Sequence, residues 1–358
     1  MRRALTVLLF FSPSALLHAG SFTVSTNVGG PIPAVGTGGV GAVWPTQLPA
    51  DPAISQITLP HEVASVTNIS ITGLAHPSAG ELHAALRDPN GIYYNLFVRS
   101  GFDGLDNWNQ GNFFGPVCGI VTQNNNPFPG GPNNNIGGAI YTQDFGNTGT
   151  PPAPWPNGNA GIVNTPLNQI WGPAGTWSLV LWDWESGNVG SFTGWSMSGV
   201  RPSIETICLG DGTGLPCPCG NSGAPGHGCN NSSNTGGAIL TGSGTFTPDT
   251  IVLTSTGERP TSLTIFVQGG QGVPTPFGDG VGCLAGLLKR LYVKSAVGGV
   301  ATAPEPGDLS ISARSAALGY TIPHGEFLVY QAYYRDVSAT FCPGATFNVS
   351  SGLRITWP

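Results

Sequence analysis

Between Trp182 and Gly190 the segment WDWESGNVG sets Asp183, Glu185, Ser186 and Asn188 on one short turn made pliable by glycine. Oxygen donors at that density suit a hard cation, because calcium takes about six to eight carboxylate, carbonyl and amide oxygens on a flexible loop. Asp183, Glu185 and Asn188 therefore head a candidate calcium site, with Asp103 and Asp106 of GFDGLDN and Asp144 of TQDF as additional donors. No EF-hand spacing is present, and the competing role for Asp183 is to accept backbone N–H bonds within its own turn. Hydrolytic chemistry has weaker footing. A serine nucleophile needs a histidine base and an orienting carboxylate. Asp211 and His227 follow one another in a suitable order, but they sit close together in a cysteine-dense segment, and no Gly-Thr-Ser triplet occurs anywhere. Both read as turn residues, as does His324. His61, His76 and His83 read as ordinary polar residues on or beside strands. No catalytic residue is expected.

Two further chemistries are open to this chain. Aromatic side chains in polar, Asn-rich surroundings can stack on sugar rings, which makes Trp108, Trp155 and Trp171 candidates for glycan contact against the alternative of core or loop anchors. Six cysteines (Cys208, Cys217, Cys219, Cys229, Cys283 and Cys342) cluster in the later half and leave Cys118 as the odd thiol. In an oxidising compartment they read as a disulfide framework whose pairing the spacing does not reveal. Zinc is the alternative, disfavoured because Cys217 and Cys219 are not spaced as the pairs of a zinc ribbon are.

The elements that must position these groups centre on Gly175–Met197. Trp177, Leu179 and Leu181 alternate with Ser178, Val180 and Trp182, the pattern of a strand covered on both faces. A second strand follows at Phe192–Met197, and the two read together as a hairpin with a long loop. Each tryptophan can bury about 150–250 Å², so other strands must cover this pair. Glu81–Leu86 and Ile92–Val98 form a second hairpin across the tight turn Asp88-Pro89-Asn90-Gly91.

The 358 residues include 55 glycines and 32 prolines, yet 40% are hydrophobic, a balance that favours short strands and many turns. With only 8% charged residues and a net charge of −6, no basic surface exists for nucleic acid or an anionic membrane. Arg2 and Arg3, an apolar run and then Ala19 and Gly20 have the layout of a secretory signal over residues 1–19. No later stretch is long and apolar enough to span a bilayer. The expected protein is secreted, periplasmic or bound at the cell surface, with a protein or polysaccharide partner there. Residues 20–53 read as a Gly/Pro-rich arm. A β-rich unit is expected over 54–203, and a cysteine-rich β-unit over 204–358 with about seven strands, one of them Leu309–Ser312, and no helix.

The first unit carries a family likeness. His76-x-x-x-Gly80-Glu81-Leu82, then Asp88-Pro89-Asn90-Gly91, then Gly175-x-Trp177-x-Leu179-x-Leu181-x-Asp183, then Gly190-x-Phe192-x-x-Trp195-x-Met197 resembles the P domain (P/Homo B domain) that follows the catalytic domain in proprotein convertases and bacterial subtilisin-like proteases. The likeness covers about residues 54–203 and implies a jelly-roll β-sandwich that stabilises or regulates a serine endopeptidase, with calcium bound in some members. The protease itself is missing from this chain. The cysteine-rich segment resembles a β-rich C-terminal domain of secreted proteins from environmental bacteria, a likeness that implies no activity. The fold expected is thus all-β: a jelly-roll sandwich followed by a disulfide-stapled, sandwich-like domain. The function expected is non-catalytic recognition or stabilisation associated with proteolysis, with glycan binding, a structural surface role and a family-level endopeptidase role as alternatives.

Overall fold

A computed structural model describes residues 20–100, 117–122, 139–146, 155–342 and 344–358. The expected export segment, Asp103, Asp106 and Trp108 lie outside the described residues. The protein is all-β, with a single α-helix among the described residues.

The first part of the chain contributes β1 (Ser21–Thr26), β2 (Gly30–Ile32), β3 (Ala53–Leu59), β4 (Ser65–Thr72), β5 (Leu82–Arg87), β6 (Tyr93–Val98), β7 (Val117–Val121), β8 (Ile140–Thr142), β9 (Ile162–Val163), β10 (Gly175–Asp183), β11 (Gly190–Phe192) and β12 (Gly194–Val200). They build two five-stranded sheets, ordered β1-β12-β4-β7-β8 and β3-β10-β5-β6-β9, and a small β11-β2 ribbon. One core joins the two sheets: Trp177, Leu179 and Leu181 from β10 pack in it with Ile69 and Ile71 from β4 and Trp195 and Met197 from β12. Trp177 and Trp195 are both essentially without solvent contact.

The two tryptophan strands are not a hairpin. β10 pairs with β3 and β5 in one sheet, whereas β12 pairs with β1 and β4 in the other. The connection over 184–193 is long enough to cross a sandwich interior roughly 10 Å thick, so each strand takes a central place in its own sheet. The Asp88–Gly91 hairpin forms as expected, with Gly91 at φ 89° and the Asp88 Oδ1 accepting the Ile92 N–H at 2.8 Å.

The arm expected over 20–53 is built into the sheets. β1 pairs along its whole length with β12, β2 pairs with β11, and Ile32 is fully buried. Residues further along, among them Trp44 and Leu48, cover Trp155, Trp182 and Trp184 on the second face of the β10 sheet. That cover explains why β10 is buried from Trp177 to its end.

From Ser203 the chain enters separate sheets: β13 (Ser203–Ile207), β16 (Leu263–Phe277), β17 (Gly280–Ser295), β19 (Phe327–Arg335) and β21 (Gly352–Thr356), with β20 (Phe347–Val349) beside β19. A three-stranded sheet of β14 (Ile239–Ser243), β15 (Val252–Thr256) and β18 (Val300–Ala303) covers a second core that includes Leu240, Leu253, Phe266, Tyr330 and Ile355. The strand expected at Leu309–Ser312 is instead the entry to helix α1 (Ile311–Ala317). Ser310 caps it by accepting the Ala313 N–H, and three alanines in seven residues favour the helical state.

All six clustered cysteines are bridged, as Cys208–Cys283, Cys217–Cys229 and Cys219–Cys342. Their Cα separations of 6.2, 5.8 and 5.6 Å fall in the ordinary range for a disulfide. Cys118 is free and buried, and desolvation pushes its thiol up to about 12. Among the described residues no helix is long and apolar enough to cross a membrane. Three disulfides fit an extracellular protein.

Candidate metal centre

The residues that converge most tightly come from distant stretches. His76 lies just before β5, Glu81 on the short turn that opens it, and Asp183 at the end of β10. Antiparallel pairing of β10 with β5 sets Asp183 opposite Leu82, which brings the turn and the strand end together. One ligand atom from each of His76, Glu81 and Asp183 lies within 4.8 Å of the others. The His76 Nε2 is 3.2 Å from the Asp183 Oδ2, and neither side chain is exposed.

Each member is held from outside. The His76 Nδ1 lies 2.7 Å from the Ser78 carbonyl oxygen. The second oxygen of Asp183 accepts the Glu185 N–H at 3.1 Å. Asn188 donates to both oxygens of Glu81, at 3.1 and 3.0 Å. Glu81 titrates above the usual carboxylate range, chiefly because burial disfavours its charged form; the Asn188 bond opposes this and the Asp183 charge adds to it. Close backbone approach is required on two sides. A Cβ at Gly190 would collide with the His76 ring and the Ala75 carbonyl, and one at Gly38 would collide with the Asp183 carboxyl and the Glu185 carbonyl.

Beside the cluster is an open pocket of ≈ 420 Å³, lined by Gly38, Trp44, Arg99, Trp184, Glu185 and Ser186 among others. Arg99 donates from Nη2 to the Glu185 Oε1 at 2.8 Å and from Nε to the Gly80 carbonyl at 2.9 Å. Its guanidinium lies 5.5 Å from the Trp44 ring centre and 5.8 Å from that of Trp184.

The donors named from sequence are thus divided. Asp183 stands in the cluster, and Asn188 supports it through Glu81 rather than offering a ligand of its own. Glu185 is engaged by Arg99 at the pocket rim. Asp144 bridges to Phe97 on the far side of β6 and accepts the Gly146 N–H, about three strand spacings or roughly 14 Å from Asp183. His76 and Glu81 were absent from the set named on spacing. Their signal was the motif His76-x-x-x-Gly80-Glu81-Leu82, which converges in space with the motif ending at Asp183.

The aromatic candidates fare differently. Trp155 is buried and packs edge-on to Trp44 and Trp184, with no face left for a sugar. Trp171 is 39% exposed, but its ring stacks on His324 at 4.7 Å with the planes 13° apart. Among the described residues no serine hydroxyl hydrogen-bonds a histidine ring. His61, His227 and His324 each bond a backbone carbonyl, and His83 bonds Asn95. The Asp211 carboxylate accepts from Thr213 and Gly226, while the His227 Nδ1 lies against the Gly237 carbonyl oxygen.

No family model matches the chain, and no curated protein matches it either. A β-1,2-glucanase from Parabacteroides distasonis aligns at 10% identity and a TM-score of 0.17, over 95% of this chain and 37% of that one. The tandem CBM22-1–CBM22-2 domain of Paenibacillus barcinonensis Xyn10C aligns at 9% identity and the same TM-score, over 95% of this chain and 85% of that one. The chain therefore spans little more than a third of the glucanase, and likenesses this weak carry no argument about function.

Proposed function

We propose that the protein acts outside the cytoplasm as a non-catalytic recognition module of the P-domain type, akin to the accessory domain of subtilisin-like serine endopeptidases. The observation that carries this reading is where the histidine of the first motif spends its ring: His76 contacts the Asp183 carboxylate and the Ser78 main chain, and among the described residues no hydroxyl or thiol hydrogen-bonds it. A carboxylate and an imidazole so placed tie the turn before β5 to the end of β10. Incubating the full chain with a fluorophosphonate probe and with casein tests the reading. No serine should be labelled and no casein cleaved; labelling of any serine would overturn it.

Glycan binding is a second reading, favoured by the pocket itself. Trp44 and Trp184 supply ring surface there, and Arg99 with Glu185 supplies fixed polar groups. Retention on one polysaccharide of a panel, lost in Trp44→Ala, is the expected result if the pocket takes a sugar. A protein partner would leave every polysaccharide unretained.

A further inference from the structure

We infer that His76, Glu81 and Asp183 bind a divalent transition ion of the zinc class, in place of the calcium that the oxygen-rich turn suggests from sequence. The first ground is donor type. Calcium is met by oxygen ligands, whereas an imidazole nitrogen with two carboxylates suits zinc and its neighbours.

The second ground is orientation. The Nδ1 of His76 accepts the Ser78 N–H at 3.1 Å and lies 2.7 Å from the Ser78 carbonyl oxygen, so main-chain contacts fix the ring from outside, as the outer support of a metal-bound histidine does. They aim Nε2 at the Asp183 Oδ2, 3.2 Å away. With bonds of about 2.1 Å, the same separation subtends roughly 100° at an ion, between the tetrahedral and octahedral angles.

The third ground is charge. Arg99 is paired with Glu185 at the pocket rim. Metal binding takes carboxylates ionised and imidazole neutral, so this donor set carries two negative charges when it binds, which match a divalent ion. Glu81 must move little. Two ligands at a tetrahedral angle on one ion stand about 3.4 Å apart, so a carboxylate within 4.8 Å needs a shift of no more than about 1.4 Å. The inference goes beyond the recognition reading and does not depend on it: a labelled serine would remove that reading and leave metal binding untouched.

The test uses the full chain with its disulfides intact, stripped with dipicolinate and titrated calorimetrically with zinc chloride and, separately, calcium chloride. Folding is verified by tryptophan fluorescence, and bound metal by mass spectrometry. Wild type should take up one zinc ion per chain and give no heat with millimolar calcium. His76→Gln and Glu81→Gln should each weaken zinc binding by at least about tenfold. Glu81→Gln, altered at a partly buried side chain outside the core, keeps the test decisive if His76→Gln does not fold. No zinc uptake by folded wild type, equal uptake by folded variants, or calcium binding in place of zinc would each overturn the inference.

Discussion

His83 and Asp279 are both buried titratable side chains, and they make stability depend on pH with opposite signs. His83 lies among Trp155, Trp182 and Trp184, with its Nε2 bonded to Asn95 at 2.6 Å and no partner at Nδ1. Burial lowers it to about 4; the Asn95 bond opposes the shift and the Arg99 charge reinforces it. Between that value and the ordinary histidine value near 6.5 the unfolded chain holds a proton that the folded chain refuses. Stability is therefore full above about pH 6.5 and falls on acidification, by on the order of 2 kcal/mol between pH 7 and pH 4.5. Urea titrations of wild type and His83→Gln should show this slope in wild type and a weaker one in the variant; parallel slopes would refute it. Asp279, at the tip of the β16–β17 hairpin, has neither carboxylate oxygen bonded. Burial, then the Asp336 charge, raises it to about 6. A raised carboxylate costs nothing below its ordinary value and its full penalty above the folded one. Asp279→Asn should thus stabilise by on the order of 2 kcal/mol at pH 7.5 and leave stability unchanged at pH 3.5. Destabilisation at pH 7.5 would show that the charge has a partner.

Strands with a clear period were legible from sequence, and their partners were not. Trp177–Trp182 and Val66–Thr72 announce themselves by alternation, whereas the sheet a strand joins depends on contacts far away in sequence. Two strands close in sequence suggest a hairpin, but the 184–193 connection is long enough to leave the sheet, and β3 and β5 take the edges of β10 that β12 would need. The run STNVGGPIPAV lacks a period because β1 and β2 are short and lie at the margins of their sheets. Helix α1 is only seven residues long, too short for an apolar stripe to show. The cluster was half legible: Asp183 stands in an oxygen-rich turn, while His76 looks ordinary until the pairing of β5 with β10 places it. Gly190 tests that placement at the level of the ribbon, since any Cβ there meets the His76 ring and the Ala75 carbonyl. Gly190→Ala should cost roughly 1–3 kcal/mol of stability, read as a lower urea midpoint. An unchanged midpoint would mean that β11 does not press on His76.

Across the whole molecule, the disulfides and the tryptophans divide between the two cores. All three bridges join residues from 208 onward, and Trp357 is the only tryptophan in that part. Each bridge contributes about 2–4 kcal/mol. We propose that the parts before and after about residue 203 are separate folding units. Reduction with dithiothreitol should then lower the melting temperature followed by far-ultraviolet circular dichroism while leaving the tryptophan fluorescence transition nearly in place; a common shift in both signals would show one cooperative unit. The motifs that end at Leu82 and Asp183 meet at one candidate ion-binding centre. Anomalous diffraction at the zinc absorption edge, from crystals of the stripped chain soaked in zinc, tests that directly. The account predicts one strong peak within bonding distance of the His76 Nε2, the Asp183 Oδ2 and the Glu81 carboxylate; no peak there, with strong peaks elsewhere, would contradict it.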